Sequence, residues 1–308
     1  MAIIGFAGLG FMGAGMAGNI LKAGYPLRVL AHRNRQPIDD LVAKGAEEAD
    51  NAAALGAECD IIFLCVTGAP QVQALIEGDE GIRAGARSAG RQGLVIVDCS
   101  TSEPTVTREL AASLSEDGIT LMDAPLGGTP TQADAGELQA IVGGDESTLE
   151  AIRPVLESWT ARILHVGPVG AGHTMKLLNN FLSMGYGAIF TEALTIGAKA
   201  GITPETFDSV IRGSRMDCGF YRTFFQYVLE RDRDAHRFTL TNAHKDTRYL
   251  ASLAEAMNVN AGVARAVRDL YASAEAQGDG EKFVPELSDI FAARHQTSLS
   301  QTPNTAGN

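Results

Sequence analysis

Aromatic side chains are scarce in this chain, making up 6% of its 308 residues with a single tryptophan, whereas glycine occurs 34 times. A composition poor in aromatics and rich in glycine and alanine is that of α/β layers, in which helices pack closely on a sheet. Cysteine is sparse too. The four present, Cys59, Cys65, Cys99 and Cys218, have neither the spacing of a metal site nor the density of a disulfide scaffold, which predicts reduced thiols in a cytoplasmic protein. No apolar run reaches the roughly 20 uninterrupted residues that span a bilayer. The longest candidate, Leu177 to Thr191, is broken by glycines. The apolar N-terminus lacks the basic flank and cleavage pattern of a signal peptide, so neither secretion nor a membrane is expected. Basic patches are missing as well, and a formal net charge of −12 would repel nucleic acid.

The length suggests two domains, and 45% apolar against 20% charged residues is enough for sizeable cores. Up to about Val166, β-rich runs such as AIIGFAG, LRVLAH, DIIFLCV, GLVIVDCS, ITLMDAP, LQAIVGG and ARILHVG alternate with helical segments. That alternation predicts a largely parallel sheet. From Gly167 the β-rich runs stop and the pattern becomes helical, with Thr203 and Pro204 reading as a helix N-cap and first helical position. The expected organisation is an α/β domain at 1–166, an all-helical domain at 167–296, and a disordered tail at 297–308.

The opening stretch, IIGFAGLGFMGAGMAGNILKAG, places Gly8, Gly10 and Gly13 as G-x-G-x-x-G between a strand and a helix. Gly8 suits the tight turn, Gly10 lets a pyrophosphate approach, and Gly13 lets helix and strand pack closely. The helix N–H groups then face the anion. With the intervening Leu9, Phe11 and Met12, this loop is the expected cofactor cradle. NAD would call for an Asp or Glu at the end of the second strand to accept from its ribose 2′-OH. LRVLAHRNRQP instead offers Arg33, with Arg35 as a helper, which favours the 2′-phosphate of NADP(H) over NAD(H).

FAGLGFMGAGMAGNILKAG resembles the N-terminal signature of the β-hydroxyacid dehydrogenases, the family of 3-hydroxyisobutyrate dehydrogenase and tartronate semialdehyde reductase. DCSTSEP at 98–104, DAPLGG at 123–128, GPVGAGHTMKLLNN at 167–180 and HKD at 244–246 are similar to its further motifs, in the same order. The resemblance implies a Rossmann-type α/β domain joined by a long helix to an all-α domain. It also implies a homodimer or homotetramer acting on a small anionic substrate, with Lys245 reaching the nicotinamide. Decarboxylation, as in the related 6-phosphogluconate enzymes, would need a longer helical domain.

Lys176 and Asn180 stand four residues apart on one helical face, and no other charge follows Lys176 until Glu192. A lysine opening an apolar helix should have a lowered pKa, the condition for a general acid/base. Lys176 is therefore the expected catalytic residue, with Asn180 orienting the substrate oxygen. His173 reads as structural. Where many relatives carry Ser in the DAP-x-S-G-G loop this chain has Gly127, so Gly127, Gly128 and Thr129 are expected to hold the substrate carboxylate through backbone N–H groups and the Thr129 hydroxyl. Ser100 is expected at the substrate, and Thr67, Gly68 and Thr101, all at strand ends, at the cofactor. The expected activity is hydride transfer between NADP(H) and a small 3-hydroxy acid or aldehyde acid. Imine reduction, sulfonate-aldehyde reduction and nucleotide sensing without turnover are the alternatives.

Overall fold

The computed structural model describes residues 1–30 and 34–300 and divides the chain into a first unit, Met1–Lys176, and a second that begins at Leu177. In chain order the first unit runs β1 (Ile4–Ala7), α1 (Gly13–Lys22), β2 (Leu27–Leu30), α2 (Gln36–Val42), β3 (Glu47–Ala49), α3 (Ala52–Glu58), β4 (Ile61–Leu64), α4 (Ala69–Glu77) and α5 (Ile82–Ser88). It continues with β5 (Val95–Asp98), α6 (Pro104–Ser115), β6 (Thr120–Asp123), β7 (Leu126–Gly127), α7 (Pro130–Ala135), β8 (Leu138–Gly143), α8 (Glu146–Leu156) and β9 (Thr160–Gly167). One sheet results, in the order β3-β2-β1-β4-β5-β6-β8-β7, with β9 paired to β8.

The strands β3 through β6 pair in parallel, whereas β8 runs antiparallel to β6 and β7. The IGFA and IIFL segments of β1 and β4 are buried along their whole length, as parallel strands covered by helices on both faces require. All seven β-rich runs of the sequence contain a strand. Two further strands carry no apolar signal: β3 is the polar edge segment EEA, and β7 spans two residues. The order reverses between β1 and β4, the topological switch point beyond whose carboxyl ends open α/β sheets bind ligands.

The long helix α9 (Ala171–Lys199) begins in the first unit, and α10 (Pro204–Ile211), α11 (Gly219–Glu230), α12 (Leu240–Ala256), α13 (Gly262–Ala274) and α14 (Leu287–Arg294) follow in the second. The division falls at Lys176 rather than at Val166 because the first turn of α9 packs on the strand ends, as described below. Thr203 does cap α10, accepting from the Thr206 amide at 3.2 Å. The second unit concentrates the aromatics, with Phe190 meeting Tyr221 edge-on at 5.3 Å and Phe224 at 5.5 Å. Leu299 is buried in the same core, so the expected disordered tail does not begin at residue 297. Among the described residues no helix is long and apolar enough to cross a membrane.

In the first unit Phe63 of β4 is fully buried and meets the edge of Trp159 at a ring separation of 5.9 Å. Truncating it leaves a large cavity in the sheet's main core. Phe63→Ala is expected to cost about 3–5 kcal/mol, read as an earlier urea midpoint in the fluorescence of Trp159, the sole tryptophan.

Candidate active site

The loop from β1 to α1 is shaped by two glycines that the fold itself demands. Gly8 has φ +101°, and a Cβ there would overlap the Cys65 carbonyl; a Cβ on Gly13 would overlap the Gly8 carbonyl oxygen. Gly10 is different. A Cβ at Gly10 meets no atom of the described residues within 4 Å, so nothing among them asks for glycine there and the open space suits a group that approaches from outside. No side chain caps α1 at Met12 and its first turn holds no acidic residue, which leaves the helix end suited to an anion. Leu9 and Met12 pack on the core, while Phe11 is 81% exposed. These residues fit the pyrophosphate of a dinucleotide.

Around the switch point, Thr67 is exposed after β4 and Gly68 is the N-cap residue of α4. Ser100, beyond β5, is buried and joins two strand ends: its hydroxyl accepts from the Val66 amide at 3.0 Å, and its own amide donates to Asp98 at 2.9 Å. Thr101 beside it is half-buried. Arg33 lies outside the described residues. Arg35 donates to both carboxylate oxygens of Glu48, at 2.6 and 2.9 Å, and to Asp39 at 3.1 Å. Its guanidinium holds the Glu48 carboxyl below the usual range, so Arg35 is engaged within the chain.

In the DAPLGGT loop, Gly127 pairs with Gln139 in the β7–β8 ladder, and a Cβ there would make only ordinary contacts. Gly128 has φ +128°, a conformation L side chains rarely adopt. Thr129 is the N-cap of α7, and its hydroxyl and amide both bond the Gln132 side chain, at 3.2 and 3.0 Å. This capping box commits the hydroxyl to the helix. The helix so capped docks on α1, where Asn19 donates to the carbonyls of Gly15 and Ala133, each at 2.9 Å.

Beyond β9, one carboxylate holds the start of α9 and a second faces it. Asp123 accepts from the Gly170 amide at 2.6 Å and the His173 amide at 2.7 Å. Burial pushes its carboxyl up, opposed by His173 and these two amides. His173 is fully buried, with Nδ1 at 2.8 Å from the Thr107 hydroxyl and Nε2 at 3.7 Å from Asp98. Lys176, half-buried, follows one turn later. In the second unit Asn180 is buried and donates its amide to Asp246 at 2.6 Å. Asp246 also takes the Lys245 ammonium at 2.7 Å, so one carboxylate joins Asn180 to Lys245.

Asp98, Asp123, His173 and Asp246 were not among the sequence-derived site residues. The available signal was small: Asp98 and Asp123 end the apolar strand segments VIVD and TLMD, where a carboxylate needs a specific partner. Cys59, Cys65 and Cys99 offer no nucleophile, because burial pushes the first two thiols up to about 12 and the third well above its usual value.

Comparison with known proteins covers nearly the whole chain. Residues 3–167 match the family of the NAD-binding domain of 6-phosphogluconate dehydrogenase, and residues 170–285 match the NAD-binding region of NADP-dependent 3-hydroxyisobutyrate dehydrogenase. The chain is 33% identical over 298 residues to 2-(hydroxymethyl)glutarate dehydrogenase of Eubacterium barkeri, covering 96% of this chain and 97% of that protein. It is 32% identical over 296 residues to 3-hydroxyisobutyrate dehydrogenase of Pseudomonas aeruginosa, with 94% and 97% covered. Among solved structures, Mycobacterium tuberculosis 3-hydroxyisobutyrate dehydrogenase with L-serine superposes with a TM-score of 0.81 at 26% identity, covering 94% of this chain and 99% of that one.

The contrast between the loop glycines is testable. Gly10→Ala is expected to leave the melting temperature unchanged while weakening the binding of a nicotinamide dinucleotide about tenfold or more, a loss of about 1.4 kcal/mol. Gly13→Ala is expected to destabilise the first unit by about 1–3 kcal/mol through overpacking. Fluorescence titration and thermal denaturation separate the two.

Proposed function

Since the chain belongs to the β-hydroxyacid dehydrogenase family of NAD(P)-dependent oxidoreductases, we propose that it interconverts a small 3-hydroxy acid and its aldehyde acid, with Lys176 as general acid/base. The observation that carries this reading is the spacing of Lys176 and Asn180, four residues apart along α9, the latter with its amide pinned by Asp246. A carboxylate partner fixes which end of the Asn180 amide is the NH₂ and leaves its second amide hydrogen to orient a substrate oxygen, while the carbonyl oxygen accepts from the Asn179 side-chain amide at 3.5 Å.

A bound nicotinamide supplies or receives the hydride. Lys176 Nζ gives a proton to the carbonyl oxygen as it becomes a hydroxyl, and takes that proton back in the oxidising direction. The backbone around Gly127 and Gly128 receives the substrate carboxylate, while Thr129 shapes that loop by capping α7. Thr67, Gly68 and Thr101 border the cofactor at the strand ends, and Ser100 acts at the substrate side of the same edge. Lys245, steadied by Asp246, provides a positive charge for an anionic ligand.

We further infer NADP(H) as the preferred cofactor. No Asp or Glu follows β2 before α2 begins, and with Arg35 engaged by Glu48 and Asp39 the 2′-phosphate falls to Arg33.

Lys176→Ala is expected to lower kcat by about 10²–10⁴-fold while leaving NADPH affinity within about twofold. Turnover is followed at the nicotinamide absorbance with glyoxylate, succinic semialdehyde, tartronate semialdehyde and methylmalonate semialdehyde. Near-normal turnover in the variant would reject the role. Arg33→Asp is expected to shift the ratio of NADPH to NADH affinity by about 10- to 150-fold, the worth of one charge-assisted bond at about 1.5–3 kcal/mol. A wild-type enzyme that already prefers NADH would overturn the cofactor reading.

A further inference from the structure

We propose that His173 is a positioning residue for Lys176, acting through a buried polar cluster that locks the first turn of α9 onto the ends of β5 and β6. The proposal rests on the reading of Lys176 as the acid/base. Its basis is independent of it: four elements of the first unit converge on one imidazole. Asp98 ends β5, Asp123 ends β6 in direct register with it, Thr107 stands on α6, and His173 stands on α9. Asp98, Asp123 and His173 are all at 0% exposure, and Thr107 is at 2%.

Hydrogen-bond accounting shows why the ring matters. One oxygen of Asp98 accepts from the Ser100 amide. Among the described residues, the other oxygen and His173 Nε2 have no hydrogen-bond partner, and they face each other at 3.7 Å. Two such atoms, fully desolvated, are costly unless each answers the other. At 3.7 Å the two are too far apart for a full hydrogen bond, but a hydrogen on Nε2 directed at the Asp98 carboxylate gives each atom its nearest electrostatic partner. Thr107, whose hydroxyl lies 3.1 Å from the Glu103 carbonyl and 2.8 Å from His173 Nδ1, fixes the ring's other edge. Asp123 meanwhile grips the helix backbone through the Gly170 and His173 amides.

The helix end has no room to shift. A Cβ on Gly172 would overlap the Ile141 carbonyl and lie 2.9 Å from an Asp123 oxygen, and one on Gly143 would lie 2.8 Å from the Gly172 amide. Lys176 lies three residues beyond His173, a neighbour on the same helical face. A rotation or slide of this turn therefore displaces the Lys176 ammonium directly, and proton transfer is steeply sensitive to such displacements.

The test compares His173→Phe, which keeps the ring volume and removes both polar edges, with His173→Gln, whose amide reaches toward Asp98. Asp98→Asn keeps the shape and the Ser100 contact and stands in if His173→Phe does not fold. In His173→Phe, kcat on the fastest acid of the screen is expected to fall about tenfold or more while KM and NADPH affinity stay within about twofold. His173→Gln should recover part of the loss. A second readout needs no turnover: peptide mapping after limited reaction with trinitrobenzenesulfonate, where the labelling of Lys176 relative to the other lysines should change severalfold. Wild-type kcat and wild-type Lys176 labelling in His173→Phe, whatever its melting temperature, would overturn the proposal; if no acid turns over, the labelling alone decides. Should Lys176→Ala keep its turnover, the acid/base reading itself fails. Should it lose turnover while His173→Phe does not, only the positioning role fails.

Discussion

The arrangement of the first unit turns on one buried carboxylate. Asp123 closes an apolar strand, and an ionised group in that place is tolerable only because two amides at the start of α9 donate to it. The same bonds satisfy N–H groups that every helix leaves open at its beginning, and the helix dipole favours the negative charge. Strand end and helix end thus solve each other's problem. Glycine at 143 and 172 is the price of bringing them so close.

A negatively charged protein that is to bind anions faces a difficulty which backbone groups can meet alongside cations such as the proposed Arg33 and Lys245. The chain carries a net charge of −12, and several of its arginines are bound to neighbouring carboxylates, Arg35 among them. Backbone amides add nothing to net charge, yet they are oriented and already in place. The glycine loop with the uncapped end of α1 is the device proposed for the cofactor, and the Gly127–Gly128 backbone the one proposed for the acid.

Much of the fold was legible because parallel strands write themselves as apolar runs and the glycine loop has a fixed spacing between strand and helix. Strand β3 was not, since EEA at a sheet edge obeys no burial pattern. Lys176 stood out as a charge at the head of an apolar helix. Asp98, Asp123 and His173 did not, because Asp123 meets Gly170 and His173 47 and 50 residues on, Thr107 meets His173 66 residues on, and only the folded sheet brings Asp98 to the same ring. The pairing of Asn180 with Asp246 is hidden for the same reason. Thr129 was read as a ligand donor when its immediate neighbours, Pro130 and Gln132, spell a helix cap.

The contact between α1 and α7 bears on how specificity can be re-engineered. Asn19 ties the helix after the cofactor loop to the helix after the DAPLGGT loop, and Gly15 lets their backbones approach so that a Cβ there would lie 2.7 Å from Ala133. The two loops are therefore not independent modules. A transplant of the acid-side loop from a relative has to carry residues 13–19 along with residues 127–136, because a foreign α7 seated on the native α1 would meet the wrong surface. The natural graft boundary follows that seam, and a library built across it would sample broken interfaces more often than new substrates.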